Sequence, residues 1–133
     1  MSIDLGQFET GSEGEWLEVL HPTTGEIIRD DEGTALRVKL LGKDSNEYRK
    51  AQRAATQRRL QSRSKKSMID AETLEREAVE VLIVCTQDWE GLAEGGEDLP
   101  CTPENVRRVY SKYLWLREQV DEFVEDRGNF MKD

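Results

Sequence analysis

The sequence predicts a mainly α-helical α+β domain, in which a small N-terminal antiparallel sheet packs against three or four helices. Along residues 34–41 (TALRVKLL), apolar and polar residues alternate, as in a strand with one buried face. Along residues 70–89 and 103–127, apolar residues recur every three or four positions, as on the buried face of a helix. Because a chain of 133 residues can build one core, we predict a single domain over residues 16–133.

Residues 1–15 (MSIDLGQFETGSEGE) are rich in Gly, Ser and Glu and have only isolated apolar positions. Such a segment buries too little apolar surface to offset the entropy lost on ordering, so we predict a flexible leader. The small sheet occupies residues 16–42, with strands near 16–20 and 34–41 and the turn sequences HPTTG and DDEG between them. A sheet of two or three strands is marginally stable alone and must pack on helices.

A strongly basic helix is predicted next, near residues 45–63 of a basic segment that covers residues 43–66. Asp44 is the predicted N-cap, and Glu47 would reach back to it as in a capping box. The segment has nine basic residues and two acidic ones, whereas the whole chain has a formal net charge of −9. The protein is therefore predicted to be electrically polarised, with one basic helix in an acidic chain.

The helical core is predicted over residues 67–133. Its first helix lies near 70–89, where Asp70 is the predicted N-cap and the apolar stripe extends to Trp89. The Gly-rich sequence EGLAEGGEDLP then ends this helix in a loop.

The apolar stripe continues after this loop. Thr102 precedes Pro103, the pairing expected at the N-cap and first position of a helix near 103–113. A helix near 115–127 follows, and the spacing fits either one bent helix or two helices joined near Leu114–Trp115.

The sequence contains no recognisable catalytic or metal-binding pattern. His21 is the only histidine and adjoins a proline in a predicted turn, and Cys85 and Cys101 have neither zinc-site nor disulfide-framework spacing. The acidic residues near 118–126 are typical of a solvated helix face, and GLAEGG lacks the lysine of a phosphate-binding loop. With no signal peptide and no long apolar run, we expect an intracellular, non-enzymatic protein with no cofactor, metal or membrane span.

Six aromatic residues and three arginines are the candidate partner contacts. Aromatic side chains give large contact areas at low entropic cost, and arginines bind acidic protein surfaces. Burial in the core explains each aromatic residue equally well. Nucleic acid is a less favoured ligand of the basic segment, because Tyr48 is its only stacking residue and the acidic remainder would repel phosphates. The candidates are Trp89, Tyr110, Tyr113, Trp115, Phe123, Phe130, Arg53, Arg58 and Arg59.

Several short motifs occur in a fixed order along roughly residues 21–130. Together they resemble the small tail assembly chaperones of long-tailed bacteriophages or prophages. One position departs from this pattern, because relatives often have a proline immediately before the tryptophan, where this chain has Leu114. The motifs are HPTTGE at 21–26, GKDSNEYR at 42–49, WEG at 89–91, and a last set of Trp115, Gln119, Val120, Phe123, Arg127, Asn129 and Phe130.

The resemblance implies a non-enzymatic protein of the bacterial host cytoplasm. Its partner would be the tape-measure protein, a long, helical and aggregation-prone chain that must stay soluble until the tail tube polymerises around it, with the tube subunit as a second candidate. The opposed charges of the chain also permit self-association. Two alternatives remain open, a structural component of the tail or neck and, third, a nucleic-acid-binding regulator that uses the basic helix.

Overall fold

The computed structural model describes residues 1–61 and 70–131. Within them there are four helices and a three-stranded antiparallel sheet, and a small hairpin connects the third strand to the third helix. The predicted fold class, α+β and mainly α, is confirmed. The elements in chain order are β1 (Glu15–Glu18), β2 (Arg37–Leu40), α1 (Asn46–Gln61), α2 (Ala71–Cys85), β3 (Thr86–Glu90), β4 (Ala93–Glu94), β5 (Glu97–Asp98), α3 (Pro103–Lys112) and α4 (Leu114–Glu125).

The sheet has the order β1-β2-β3, with β2 in the centre. Leu17 is paired with Val38, and Val38 with Trp89, so these three side chains lie on one face of the sheet. Val38 is fully buried and Trp89 nearly so, which identifies this face as the inner one. Trp16 is paired with Lys39 on the opposite face.

The third strand corrects the sequence prediction. The helix predicted near 70–89 ends at Cys85, and Trp89 lies in β3. The Thr86 hydroxyl donates to the Leu82 carbonyl (2.7 Å), and the backbone of residues 86–90 pairs with β2. A spacing of four, as between Cys85 and Trp89, keeps two residues on one face in a helix and in a strand alike, so the apolar pattern could not distinguish them.

The core lies between the inner face of the sheet and helices α2, α3 and α4. Tyr110 is fully buried at its centre, and its hydroxyl lies 2.7 Å from the Thr86 hydroxyl oxygen. Burial raises the pKa of Tyr110 far above its usual value, so this side chain stays neutral. The valines of α3 and α4 complete the packing around it: Val106, Val109, Val120 and Val124.

Two predicted helix caps are confirmed and a third is wrong. Asp70 accepts from the backbone N–H of Thr73 (2.8 Å), and Thr102 accepts from that of Asn105 (3.2 Å). At α1, however, it is the Ser45 hydroxyl that accepts a backbone N–H, from Tyr48 (3.2 Å). The cap is therefore one residue later than Asp44, whose carboxylate binds an arginine instead.

The last apolar stripe forms two helices, α3 and α4, which meet at Tyr113. Tyr113 has φ −107° and ψ 81°, outside the helical range. The helix is therefore interrupted at this residue and does not continue as one bent helix. Of the two possibilities left open by the spacing, the structure has the pair of helices.

The described residues include the predicted leader but not the end of the predicted basic segment. Residues 5–8 of the predicted leader form a short 3-10 helix with no buried residue, and the backbone N–H of Gly11 donates to the Phe130 carbonyl. Flexibility of the leader stays a prediction. The end of the predicted basic helix, with Arg63, lies outside the described residues, as do Lys65 and Lys66 of the basic segment.

Candidate protein-binding surfaces

The six candidate aromatic residues separate into two groups. Trp89, Tyr110 and Phe130 are 6%, 0% and 5% exposed, so in this conformation they pack in the core and offer almost no surface to a partner. Tyr113, Trp115 and Phe123 are half-buried and pack at the margin of the core. Among these, Phe123 is covered on one side by Phe130, with ring centroids 5.4 Å apart in an edge-to-face arrangement.

An apolar depression surrounds Trp115, where the start of α4 faces the β4–β5 hairpin and the residue before β2. It consists of two hollows of about 390 and 160 Å³, both lined by Leu36, Leu92 and Trp115. The larger hollow is also lined by Ile28 and, on its polar side, by Arg29, Asp30 and Thr34; the smaller one is also lined by Leu99, Val109, Tyr113 and Leu116. We refer to this surface as the Trp115 trough.

Charged side chains hold the hairpin at the rim of the Trp115 trough. The Tyr113 hydroxyl donates to Glu94 (2.7 Å), which also pairs with Arg108 (2.8 Å) and Lys112 (3.3 Å). The hydrogen bond from Tyr113, followed by that from Lys112, lowers the pKa of Glu94. Glu94 therefore stays ionised at neutral pH, and the hairpin is attached to α3 by charged groups that surround an apolar surface.

The hairpin also corrects a prediction, since the sequence assigned EGLAEGGEDLP to a loop. Gly95 and Gly96 both have positive φ (61° and 84°), the conformation that a tight two-residue hairpin turn requires. The hairpin brings Leu92 and Leu99 together, with a backbone hydrogen bond of 3.1 Å between them. The Gly95–Gly96 pair was the sequence signal that could have predicted this hairpin, which forms one side of the Trp115 trough.

Two of the motifs behind the resemblance meet in space to form what we call the C-terminal clasp. Arg127 binds Asp44 through two hydrogen bonds of 2.7 and 3.1 Å. A Cβ atom on Gly42 would lie 2.6 Å from the Phe130 ring, so only glycine leaves room for that ring. Gly42, Asp44, Arg127 and Phe130 therefore join the residues before α1 to the end of the described chain.

The turn motif at residues 21–26 is likewise structural. His21 accepts backbone N–H groups of Thr23 (3.1 Å) and Thr24 (3.3 Å) through Nδ1. The Gln119 side chain accepts from the backbone N–H of Leu20 (2.9 Å) and donates to its carbonyl (2.8 Å). Gln119 thus attaches the turn to α4.

The clasp yields a prediction for acid stability. The hydrogen bond from Arg127 lowers the pKa of Asp44 relative to the unfolded chain. The stability that ionised Asp44 contributes is therefore fully present above its pKa in the unfolded chain, about 3.9. This contribution is lost as the pH falls through the lower pKa of the folded protein. We expect Asp44→Asn to reduce stability at neutral pH and to flatten its decline in acid, measured by urea unfolding from about pH 7 to about pH 2. In an Arg127→Ala background the same change should have little further effect; an equal effect there would contradict the pairing.

The three candidate arginines do not all lie on one face of α1. Arg58 and Arg59 line a groove of about 620 Å³ between α1 and α2, whereas the exposed Arg53 is not among its described lining residues. Arg59 Nε lies 3.2 Å from Glu77 Oε1. We call this surface the α1–α2 groove; its lining comprises Ala51, Ala54, Arg58, Arg59, Thr73, Arg76, Glu77, Glu80, Val81 and Val84.

The thiols and the acidic residues show no reactive arrangement in the described part of the chain. Burial raises the pKa of Cys85 to about 12 and that of Cys101 to about 11, so neither thiol ionises readily. Across residues 1–61 and 70–131, no three His, Cys, Asp or Glu side chains converge as a metal site requires. No helix in these two ranges combines the length and apolar character needed to cross a bilayer.

The chain was compared with protein-family models, with curated proteins and with solved structures, and nothing matched it.

Proposed function

We propose that this protein is a tail assembly chaperone of a long-tailed bacteriophage or prophage. It would act without catalysis, in the cytoplasm of the bacterial host, by binding the tape-measure protein and keeping it soluble. The observation that carries the proposal is the Trp115 trough, a concave apolar surface with a half-buried tryptophan and a charged rim. The identity of the partner comes from the ordered motifs.

The physical requirements of such a chaperone agree with this surface. A tape-measure chain exposes apolar helical stripes before the tail tube encloses it, and an apolar groove with a charged margin covers such stripes. Leu36, Leu92 and Trp115 supply the apolar contact, while Glu94 with its basic partners supplies the margin. The net charge of −9 would oppose aggregation of the loaded complex.

Co-expression tests the proposal directly. The protein is produced together with the tape-measure protein encoded nearby, and the lysate is analysed by pull-down and by size-exclusion chromatography with light scattering. We expect the tape-measure protein to become soluble and to co-elute; the tail tube subunit can be assayed in the same way. If the tape-measure protein stays insoluble and this chain is found in purified particles, the protein is a structural tail component instead.

A nucleic-acid function is tested separately by gel shift at moderate salt with duplex and single-stranded DNA. We expect no retained band, because the groove arginines share their surface with glutamates and the chain as a whole is acidic. Tight, salt-resistant DNA binding would favour the regulator.

A further inference from the structure

The α1–α2 groove is a second concave surface, and it shares no lining residue with the Trp115 trough. Its floor consists of small apolar side chains, Ala51 and Ala54 from α1 with Val81 and Val84 from α2. Small residues on α1 allow the backbone of a third element to approach closely. Val84 is 45% exposed although it belongs to the helix that supplies much of the core. Burying it would add apolar contact that the described chain does not make.

The charges around this floor favour an acidic ligand. Among the described residues, three arginines line the groove, two from α1 and Arg76 from α2, against two carboxylates. Both carboxylates already have arginine partners in the protein, since Glu77 lies next to Arg59 and Glu80 accepts hydrogen bonds from Arg107 (2.8–3.1 Å). The exposed Arg76 donates a long hydrogen bond (3.4 Å) to the Thr73 hydroxyl. A ligand carboxylate near Arg76 would therefore gain a charged contact without breaking either of these two carboxylate–arginine pairs.

The shape of the groove fits a helix. Its lining extends from Thr73 to Val84 along α2, a length of ~16 Å at about 1.5 Å of rise per residue, or roughly three helical turns. A helix laid between two others buries one apolar stripe and directs its flanking side chains to the two walls. None of the lining residues is aromatic, so the groove offers no platform on which bases could stack.

We propose that the α1–α2 groove binds an amphipathic α-helix of a partner protein, with the apolar stripe of that helix on the alanine and valine floor and its carboxylates beside the arginines. This inference does not depend on the proposed function, because it specifies the chemistry of the ligand and not its source.

The test uses a synthetic peptide, so its outcome is independent of any tape-measure protein. A fluorescein-labelled helical peptide of about 14 residues carries leucines on one face and glutamates beside them; a second peptide has lysines in place of the glutamates. Fluorescence anisotropy with the full chain should show binding of the acidic peptide and at least about tenfold weaker binding of the basic one. Equal affinity for the two peptides, or no binding of the acidic one at millimolar protein, would overturn the proposal.

Matched variants locate the site. Arg58→Glu and Arg76→Glu should each weaken binding of the acidic peptide at least about tenfold, whereas Arg53→Glu, the same charge change on α1 but outside the groove lining, should change affinity less than about twofold. Val84→Ser, at an exposed position, should weaken binding about threefold to tenfold without changing its salt dependence. Circular dichroism verifies that each variant is folded. If Arg53→Glu weakens binding as much as Arg58→Glu, the attraction is a general property of the basic helix and the groove is not the site.

Discussion

Replacing Trp89 by alanine is expected to lower the free energy of unfolding by about 3–5 kcal/mol. Trp89 is 6% exposed on the inner face of β3 and is paired with the fully buried Val38. Its indole Nε1 donates to the Leu99 carbonyl (2.8 Å), so the substitution also leaves that acceptor without its donor. Because small domains are stable by about 5–15 kcal/mol, the loss should be visible as a large shift of the urea midpoint.

Trp16→Ala is the matched control for this experiment. Trp16 lies on the outer face of the same sheet, half-buried, with the Arg37 guanidinium 4.3 Å from its ring centroid. We expect its loss to cost about 1 kcal/mol, the scale of a partly exposed cation–π contact. If Trp89→Ala destabilises the protein no more than Trp16→Ala does, Trp89 does not anchor the core as described.

The position of Trp89 also shows what could be predicted from the sequence. The starts of α2 and α3 were predicted correctly from their N-cap residues, Asp70 and Thr102. Each of these caps depends on one local hydrogen bond, from a backbone N–H three residues later to the side chain of the cap residue. The end of α2 was misplaced because its stop depends on pairing with β2, a partner far away in the chain. Local apolar spacing does not show whether a segment will pair with a strand that is distant in the sequence.

The candidate site was only partly predictable for a related reason. Aromatic character identifies Tyr110 and Trp115 equally well as contact residues, yet one is the centre of the core and the other lines a surface. Which of them is exposed depends on the turn at Tyr113 and on where the hairpin lies. Likewise, the arginines of α1 form one basic segment in the sequence, and only the packing of α1 on α2 places Arg58 in the groove lining and Arg53 outside it.

Several of the motif residues that carry the resemblance have a structural role. Gly42, Asp44, Gln119 and Arg127 make contacts within the chain that hold its scaffold together. Contacts of this kind stabilise the scaffold of this chain whatever partner it binds. The function must therefore be tested where side chains are available to a partner, at the Trp115 trough, which includes the motif residue Trp115, and at the α1–α2 groove.

Truncating Trp115 to alanine is the substitution we expect to affect tape-measure binding most. An aromatic anchor at the centre of a contact typically contributes about 2 kcal/mol or more, so the affinity should fall roughly thirtyfold or more. Trp115 is half-buried and lines both hollows of the trough, so its removal takes contact area from each. The stability cost should stay near 1–2 kcal/mol, which leaves the variant folded.

The measurement is the yield of soluble tape-measure protein on co-expression, followed by titration of a purified soluble tape-measure fragment. Trp16→Ala again serves as the control, since it removes a half-buried tryptophan outside the Trp115 trough, and it should retain parental affinity. Trp115→Phe should recover part of the binding, because a smaller aromatic ring still fills some of the apolar space. A folded Trp115→Ala variant that binds as tightly as the parent would remove the trough as the contact surface. In that case the same titration with Arg58→Glu and Arg53→Glu would show whether the tape-measure protein occupies the α1–α2 groove instead.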